Sequence, residues 1–324
     1  MLRRQGSEAT ARDLVGYADK LPTFEWPHGA RLAINLVINY EEGSERTPLQ
    51  GDQDREPLVE AKYEVPSGER ELFTESTFEY GSRVGVWRLL ELLDEYEVTA
   101  TVFACGQALE RNPAAAKAFV DRGYDFVGHG YRWLPHTGMT PEQERADVRM
   151  CADSIRTMTG HSIRGWFTRP PNTVNTRQVL VEEGLLYDSG AVNDDLPYFQ
   201  TVADRPMLIV PYSLDVNDTK FFKGQFFTAR DFEAYAVDSF DTLHGQSQRT
   251  PLMMSIGLHS RIIGRPGRLI GLRRFLEHMR RQTDVWITGR DAIATFWAEK
   301  FAPESTWNLA AAGKGGNVSG TKHT

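Results

Sequence analysis

Cysteine is scarce in this chain: Cys105 and Cys151 are the only two, and they form no Cys-x-x-Cys pair. That spacing excludes a disulfide framework and a four-ligand structural zinc site, and two separate core thiols are the simplest reading. Long apolar runs are also missing. None reaches the roughly 18 residues of a membrane-spanning helix, and Met1–Pro27 has no apolar stretch of the signal-peptide kind. No membrane partner is therefore expected, and a cytoplasmic location is. Positive charge is not in excess: 37 Lys plus Arg stand against 44 Asp plus Glu, a formal charge of -7, with the basic residues scattered. Such a chain has no general attraction for nucleic acid. No Gly-x-Gly-x-x-Gly follows the first strand-like run and no Walker A sequence occurs, which counts against nucleotide-binding folds. There is no internal repeat.

What is present is ordinary globular composition over 324 residues, 40% hydrophobic and 25% charged. A domain of about 300 residues buries enough surface to fold without staples. Strand-like runs recur at Arg31–Asn39, Val98–Ala104, Phe126–Val127, Ser162–Thr168, Leu185–Tyr187, Met207–Tyr212, Leu252–Leu258 and Val285–Ile287. Helix signals lie between them. Asn112-Pro113 gives a cap and an N1 proline, Thr140 with Gln143 makes a capping box for a helix ending at Gly160, and Thr228/Asp231 and Thr288/Asp291 fit an acidic version of that box. Eight strands alternating with helices predict an α/β fold with a parallel sheet, as a closed barrel or an open doubly wound sheet. The expected organisation is an N-terminal extension over 1–24, a single catalytic domain over 25–303 and a flexible tail over 304–324. A long charged insertion, 41–82, follows the first strand and reads as an elaborated loop over the working face.

In parallel α/β folds the chemistry gathers at the carboxyl ends of the strands. Those ends carry Glu41 and Glu42, His129, Arg169, and His259 with Arg261. Adjacent residues on a strand point to opposite sides, so both glutamates reach a pocket only if the chain turns, as Gly43 permits. They read as general base or metal ligand, against a solvated loop pair. His129, between Gly128 and Gly130, reads as a presented ring, against a structural histidine. His259 suits an acid or base near neutral pH. Arg261 or Arg265 would hold a carboxylate or imide oxygen, against a structural ion pair. Asp188 and Asp195 surround the turn after the fifth run. Asp215-Val216-Asn217-Asp218 follows the sixth and reads as a turn or a wall of the site. Tyr131, Trp133 and Trp166 supply aromatic bulk.

Asn39-Tyr40-Glu41-Glu42-Gly43, Glu79 to Trp87, His129-Gly130-Tyr131-Arg132-Trp133 and Ser255-Ile256-Gly257-Leu258-His259 resemble motifs of the polysaccharide deacetylase superfamily. The resemblance spans about residues 25–300 and is nearest to the cofactor-independent bacterial allantoinases and cyclic-imide hydrolases. It implies a distorted (β/α) barrel of seven or eight parallel strands and hydrolysis of a carbon–nitrogen bond. In the classical deacetylases an Asp-Asp pair stands where Glu41-Glu42 stand here, the first acid being the base and the second a metal ligand. A His-x-x-x-His motif supplies two further ligands, matching His129 and position 133, and a later histidine matching His259 is the general acid. Position 133 is Trp here, which removes one ligand.

The expected catalytic set is thus Glu41, Glu42, His129 and His259. Trp133, Arg169, Asp188, Asp195, Asn217, Arg261 and Arg265 are the expected substrate-binding set. No cofactor is expected. The alternative is zinc or another divalent metal held by Glu42 and His129. The expected substrate is a small cyclic amide, imide or ureide, with a metal-dependent carbohydrate N-deacetylase or a non-catalytic binding protein as alternatives, and a homo-oligomer is expected.

Overall fold

The computed structural model describes residues 12–57 and 64–303. The expected flexible tail and residues 1–11 of the expected extension lie outside the described residues. Among those described, ten strands form one sheet: β1 (Leu32–Tyr40), β2 (Thr101–Ala104), β3 (Asp125–Gly128), β4 (Gly165–Trp166), β5 (Tyr187–Asp188), β6 (Tyr198–Val202), β7 (Arg205–Ile209), β8 (Val216–Asn217), β9 (Leu252–His259) and β10 (Val285–Ile287). Their order is β6-β7-β5-β4-β3-β2-β1-β9-β8, with β10 also paired to β1. Every pairing is parallel except the β6–β7 hairpin. The fold is therefore α/β, a distorted (β/α) barrel.

All nine residues of β1 are buried. A strand flanked on both sides and covered on both faces reads as an unbroken apolar run, which is why β1 stands out in the sequence. Each of the eight apolar runs overlaps a strand. The two additional strands have physical reasons for being silent. β6 is an edge strand with partly exposed side chains, and β8 has two residues, too few for any periodicity.

The helices are α1 (Leu72–Tyr80), α2 (Val86–Glu95), α3 (Gly106–Arg111), α4 (Pro113–Asp121), α5 (Pro141–Thr159), α6 (Thr176–Glu182), α7 (Ala229–Gln246), α8 (Ser260–Ile263), α9 (Pro266–Met279) and α10 (Arg290–Phe301). Asn112 caps α4, and reciprocal capping boxes open α5 at Thr140 and α7 at Thr228. The cap expected at Thr288 does not form. Gly289 takes that position, and Asp291 instead accepts the Tyr187 hydroxyl at 2.8 Å while its amide donates to Asp125 at 2.7 Å.

The core fills the barrel and the layer beneath the helices. α9 buries Leu272, Phe275, Leu276 and Met279, and Phe24 and Trp26 pack on Trp297. Cys105 and Cys151 are buried free thiols. Arg290 is fully buried in the barrel, where Ser189, Asn35 and Ser255 and the carbonyls of Val210 and Pro211 accept its hydrogen bonds. A buried guanidinium is tolerated only when its donors are satisfied in this way. Among the described residues, no helix is long and apolar enough to cross a membrane.

Candidate active site

β1 and β9 pair in register over eight rungs, ending at Asn39↔His259. Side chains two apart on a strand share a face. Asn39 turns inward to the Tyr212 hydroxyl at 3.3 Å, and Glu41, two residues on, turns inward with it. Gly43, at φ +92°, then bends the chain away. That conformation favours glycine, and it brings Glu42 back toward α8.

Three groups meet on the Glu41 carboxylate. His129 Nε2 lies 3.1 Å and His259 Nε2 3.6 Å from Oε1, and Arg261 Nη2 donates to Oε2 at 2.6 Å. Glu42 accepts the backbone amides of Glu41 and Arg261, each at 3.1 Å, and faces Arg261 Nη1 at 3.6 Å. Each histidine is oriented from behind. His129 Nδ1 donates to the Phe167 carbonyl at 2.6 Å, and His259 Nδ1 lies 2.6 Å from Asp218 Oδ1. Asp218 also accepts the amides of His259 and Ile263, so one carboxylate holds both the ring and the turn that carries it. Glu41, Glu42, His129 and His259 are each at most 5% exposed.

Charge follows from this packing. Burial alone would push the Glu41 carboxyl up, but Arg261, then His259 and His129, hold it well below the usual range. Burial also works against a charged His259, yet Asp218 and Glu41 outweigh it and raise the imidazole to about 9. At neutral pH the site therefore pairs an ionised carboxylate with a protonated imidazole. Glu42 is pushed up, by burial first and by Glu41, with Arg261 opposing.

Trp133 joins from the β3–α5 loop. Its ring lies 3.6 Å from the Arg169 guanidinium and 4.9 Å from that of Arg261, and its carbonyl accepts Arg169. Arg169 forks onto Glu56 at 2.5 and 2.9 Å, and Arg132 forks onto Asp52 at 2.5 and 2.9 Å. Both carboxylates belong to the 41–82 insertion, which is thereby anchored against the site's own loops. A π-type turn over Gly81–Gly85 joins α1 to α2 beneath α8. There Gly85 packs so closely that a Cβ would sit 2.0 Å from the Ser260 carbonyl oxygen. π-turns of this kind recur at functional sites.

The remaining expected residues lie apart from this cluster. Asp188 binds Arg177 at 2.8 Å and the Gly190 amide. The Asp195 carbonyl accepts Met253 N, six residues before His259 and about 20 Å back along β9. Arg265 stacks on Tyr80 at 3.5 Å. Asn217 spends its side chain on Tyr212 and on capping the 3-10 turn Asp218–Phe221, which sets Asp218 in place. Asp218, expected only as part of a turn or a wall of the site, is here the partner of His259, and Glu56, which the sequence did not single out, is the partner of Arg169.

The two residues named for a metal have different partners: Glu42 faces Arg261, and His129 faces Glu41. Among the described residues, no group of three or more His, Cys, Asp or Glu side chains is arranged to hold a metal ion. As placed, this donor set does not fit a divalent metal, because a permanent guanidinium already contacts both carboxylates.

The family profile described as polysaccharide deacetylase matches residues 71–185. A putative polysaccharide deacetylase of Schizosaccharomyces pombe is 38% identical over 89% of this chain and 97% of its own length. The chain belongs to the polysaccharide deacetylase family. Among solved structures, a probable polysaccharide deacetylase from Pseudomonas aeruginosa is 40% identical with a TM-score of 0.86, covering 90% of this chain and 99% of that one. A Puue allantoinase is 41% identical with a TM-score of 0.85, covering 90% and 98%. Membership in the polysaccharide deacetylase family supports a hydrolytic enzyme acting on a substrate that contains a C–N bond.

Proposed function

We propose that the protein hydrolyses a C–N bond of a small cyclic amide, imide or ureide, with Glu41 as base and His259 as acid. The observation that carries this reading is the approach of His259 Nε2 to Glu41 Oε1 at 3.6 Å in one buried cluster. Water bound to Glu41 gives up a proton to that carboxylate as its oxygen bonds to the carbonyl carbon, leaving a tetrahedral oxyanion. Collapse re-forms the carbonyl and breaks the C–N bond, the electron pair leaving with nitrogen. His259 supplies the proton that nitrogen needs. The Glu41 proton then passes to His259 and restores both groups. His129, held by Phe167, orients Glu41, and Asp218 orients His259.

Support for a small substrate comes from the anchored insertion. The Arg169–Glu56 and Arg132–Asp52 forks hold it across loops that a polymer groove would leave open. The Puue allantoinase likeness agrees with a ureide. Carbohydrate N-deacetylation is the second reading, and the deacetylase names of the other two relatives favour it. The same base and acid serve it, because an acetamide has the same bond to break.

A panel of allantoin, hydantoins, succinimide-type rings and N-acetylated sugars, assayed with and without chelator, separates the two. Ring opening that Glu41→Gln and His259→Ala abolish in folded protein is the expected result. Turnover confined to N-acetyl sugars would favour the second reading, and near-normal turnover in either variant would refute the assigned pair.

A further inference from the structure

We infer that the Arg261 guanidinium is the site's resident cation, holding the scissile carbonyl oxygen where a divalent metal would otherwise act. This rests on the hydrolytic reading above. Arg261 is 4% exposed and fixed from several sides. Nη2 is spent on Glu41, the backbone amide on Glu42, and the guanidinium lies 4.6 Å from the Phe78 ring and 4.9 Å from Trp133. Nη1 is different. It is buried and has no hydrogen-bond partner, its nearest carboxylate oxygen being Glu42 Oε1 at 3.6 Å.

A buried charged donor without an acceptor is costly and rare, so such a donor beside reacting groups points to a ligand. Nη1 and Nη2 belong to one rigid fork. With Nη2 on the base, Nη1 is the arm left to donate to a ligand bound beside Glu41, where a water would be activated. An oxygen accepting from Nη1 would belong to the carbonyl that this water attacks, and its negative charge would grow as the bond forms. The surroundings favour this cation over a metal. Trp133, standing where the family's second histidine ligand falls, has no side-chain atom that ligates a metal, and its ring lies 4.9 Å from the guanidinium. A divalent ion would meet Arg261 and a protonated His259 beside the same carboxylate.

The test uses the full chain, its Arg261→Ala variant, and two readouts. First, wild-type protein is titrated with Co(II) and its zinc content is measured after growth in zinc-supplemented medium. Binding well below one equivalent is expected. One equivalent of metal, lost in Glu41→Gln, would overturn the inference whatever the variant does. Second, Arg261→Ala should lose about 100-fold or more in kcat, with a smaller change in KM. Millimolar guanidinium should restore at least a tenfold share of that loss, and urea, of the same shape but neutral, should not. A folded variant that guanidinium fails to restore would overturn the inference. If the wild type hydrolyses nothing in the panel, the hydrolytic reading fails and the inference falls with it, whereas an active, metal-free wild type with an unrestored variant overturns the inference alone.

Discussion

Replacing Asp218 by Asn tests the charge logic of the site with little change of shape. Asp218 is fully buried and serves three donors: the His259 ring at 2.6 Å, the His259 amide at 2.7 Å and the Ile263 amide at 3.1 Å. Burial pushes the imidazole toward its neutral form, and Asp218 is the larger of the two carboxylates that reverse this, carrying it from 6.5 to about 9. With a value near 9, about 97% of His259 is protonated at pH 7.5, whereas at 6.5 about 9% is. Loss of the Asp218 charge therefore removes up to roughly a tenfold share of the competent acid at that pH, and Glu41 alone limits the fall. The alkaline limb of kcat/KM should move from near pH 9 to lower pH by at least about one unit. An NMR titration of the histidine rings should show the same displacement without any substrate.

Stability follows the same linkage. A folded-state value above the unfolded one means that the charge contributes stability fully below about pH 6.5 and loses it as pH rises through about 9. The stability gap between wild type and Asp218→Asn should narrow across that window. An alkaline limb and a ring titration that both stay within about 0.3 unit of wild type would refute the pairing as the source of the acid.

Glu41→Gln should lower kcat by about 10²- to 10⁴-fold with a cooperative melt retained, and a smaller loss would remove Glu41 from the role of base. Gly85→Ala forces a methyl group against the Ser260 carbonyl, 2.0 Å from where Cβ would sit. It should destabilise by about 1–3 kcal/mol in urea titrations, and an unchanged midpoint would show that the π-turn yields freely. Glu56→Gln breaks the fork to Arg169. It should speed limited proteolysis of the insertion and improve turnover of bulkier amides relative to small ones, and identical selectivity would deny the insertion a part in substrate choice.

The parts of the site legible in the sequence were those that sit on strand ends. β1 and β9 are long, buried on both faces and therefore conspicuous, so Glu41 and His259 could be placed at one rim from apolar patterning alone. His129 was legible for the same reason. Asp188 and Asp195 looked equivalent because they also follow a strand, but position along the chain does not tell which way a carboxylate turns. Asp188 turns to Arg177, and Asp195 lies beside the first residues of β9. Asp218 was the converse case. It follows the two-residue β8, whose pairing to β9 is a tertiary fact with no local signature. Glu56 and Asp52 sit in a loop with many carboxylates, and only the folded chain selects these two for Arg169 and Arg132.

The β1–β9 register has a consequence for how this site can vary. The proposed base and acid lie at the end of one ladder, Glu41 two residues beyond Asn39, whose rung partner is His259. Their separation is thus set where the two strands end, by the register that places Asn39 opposite His259 and by the turn that carries Glu41 past it. The insertion that Glu56 and Asp52 anchor hangs from separate loops. On the proposed reading, the insertion can change with substrate choice while Glu41 and His259 keep their places.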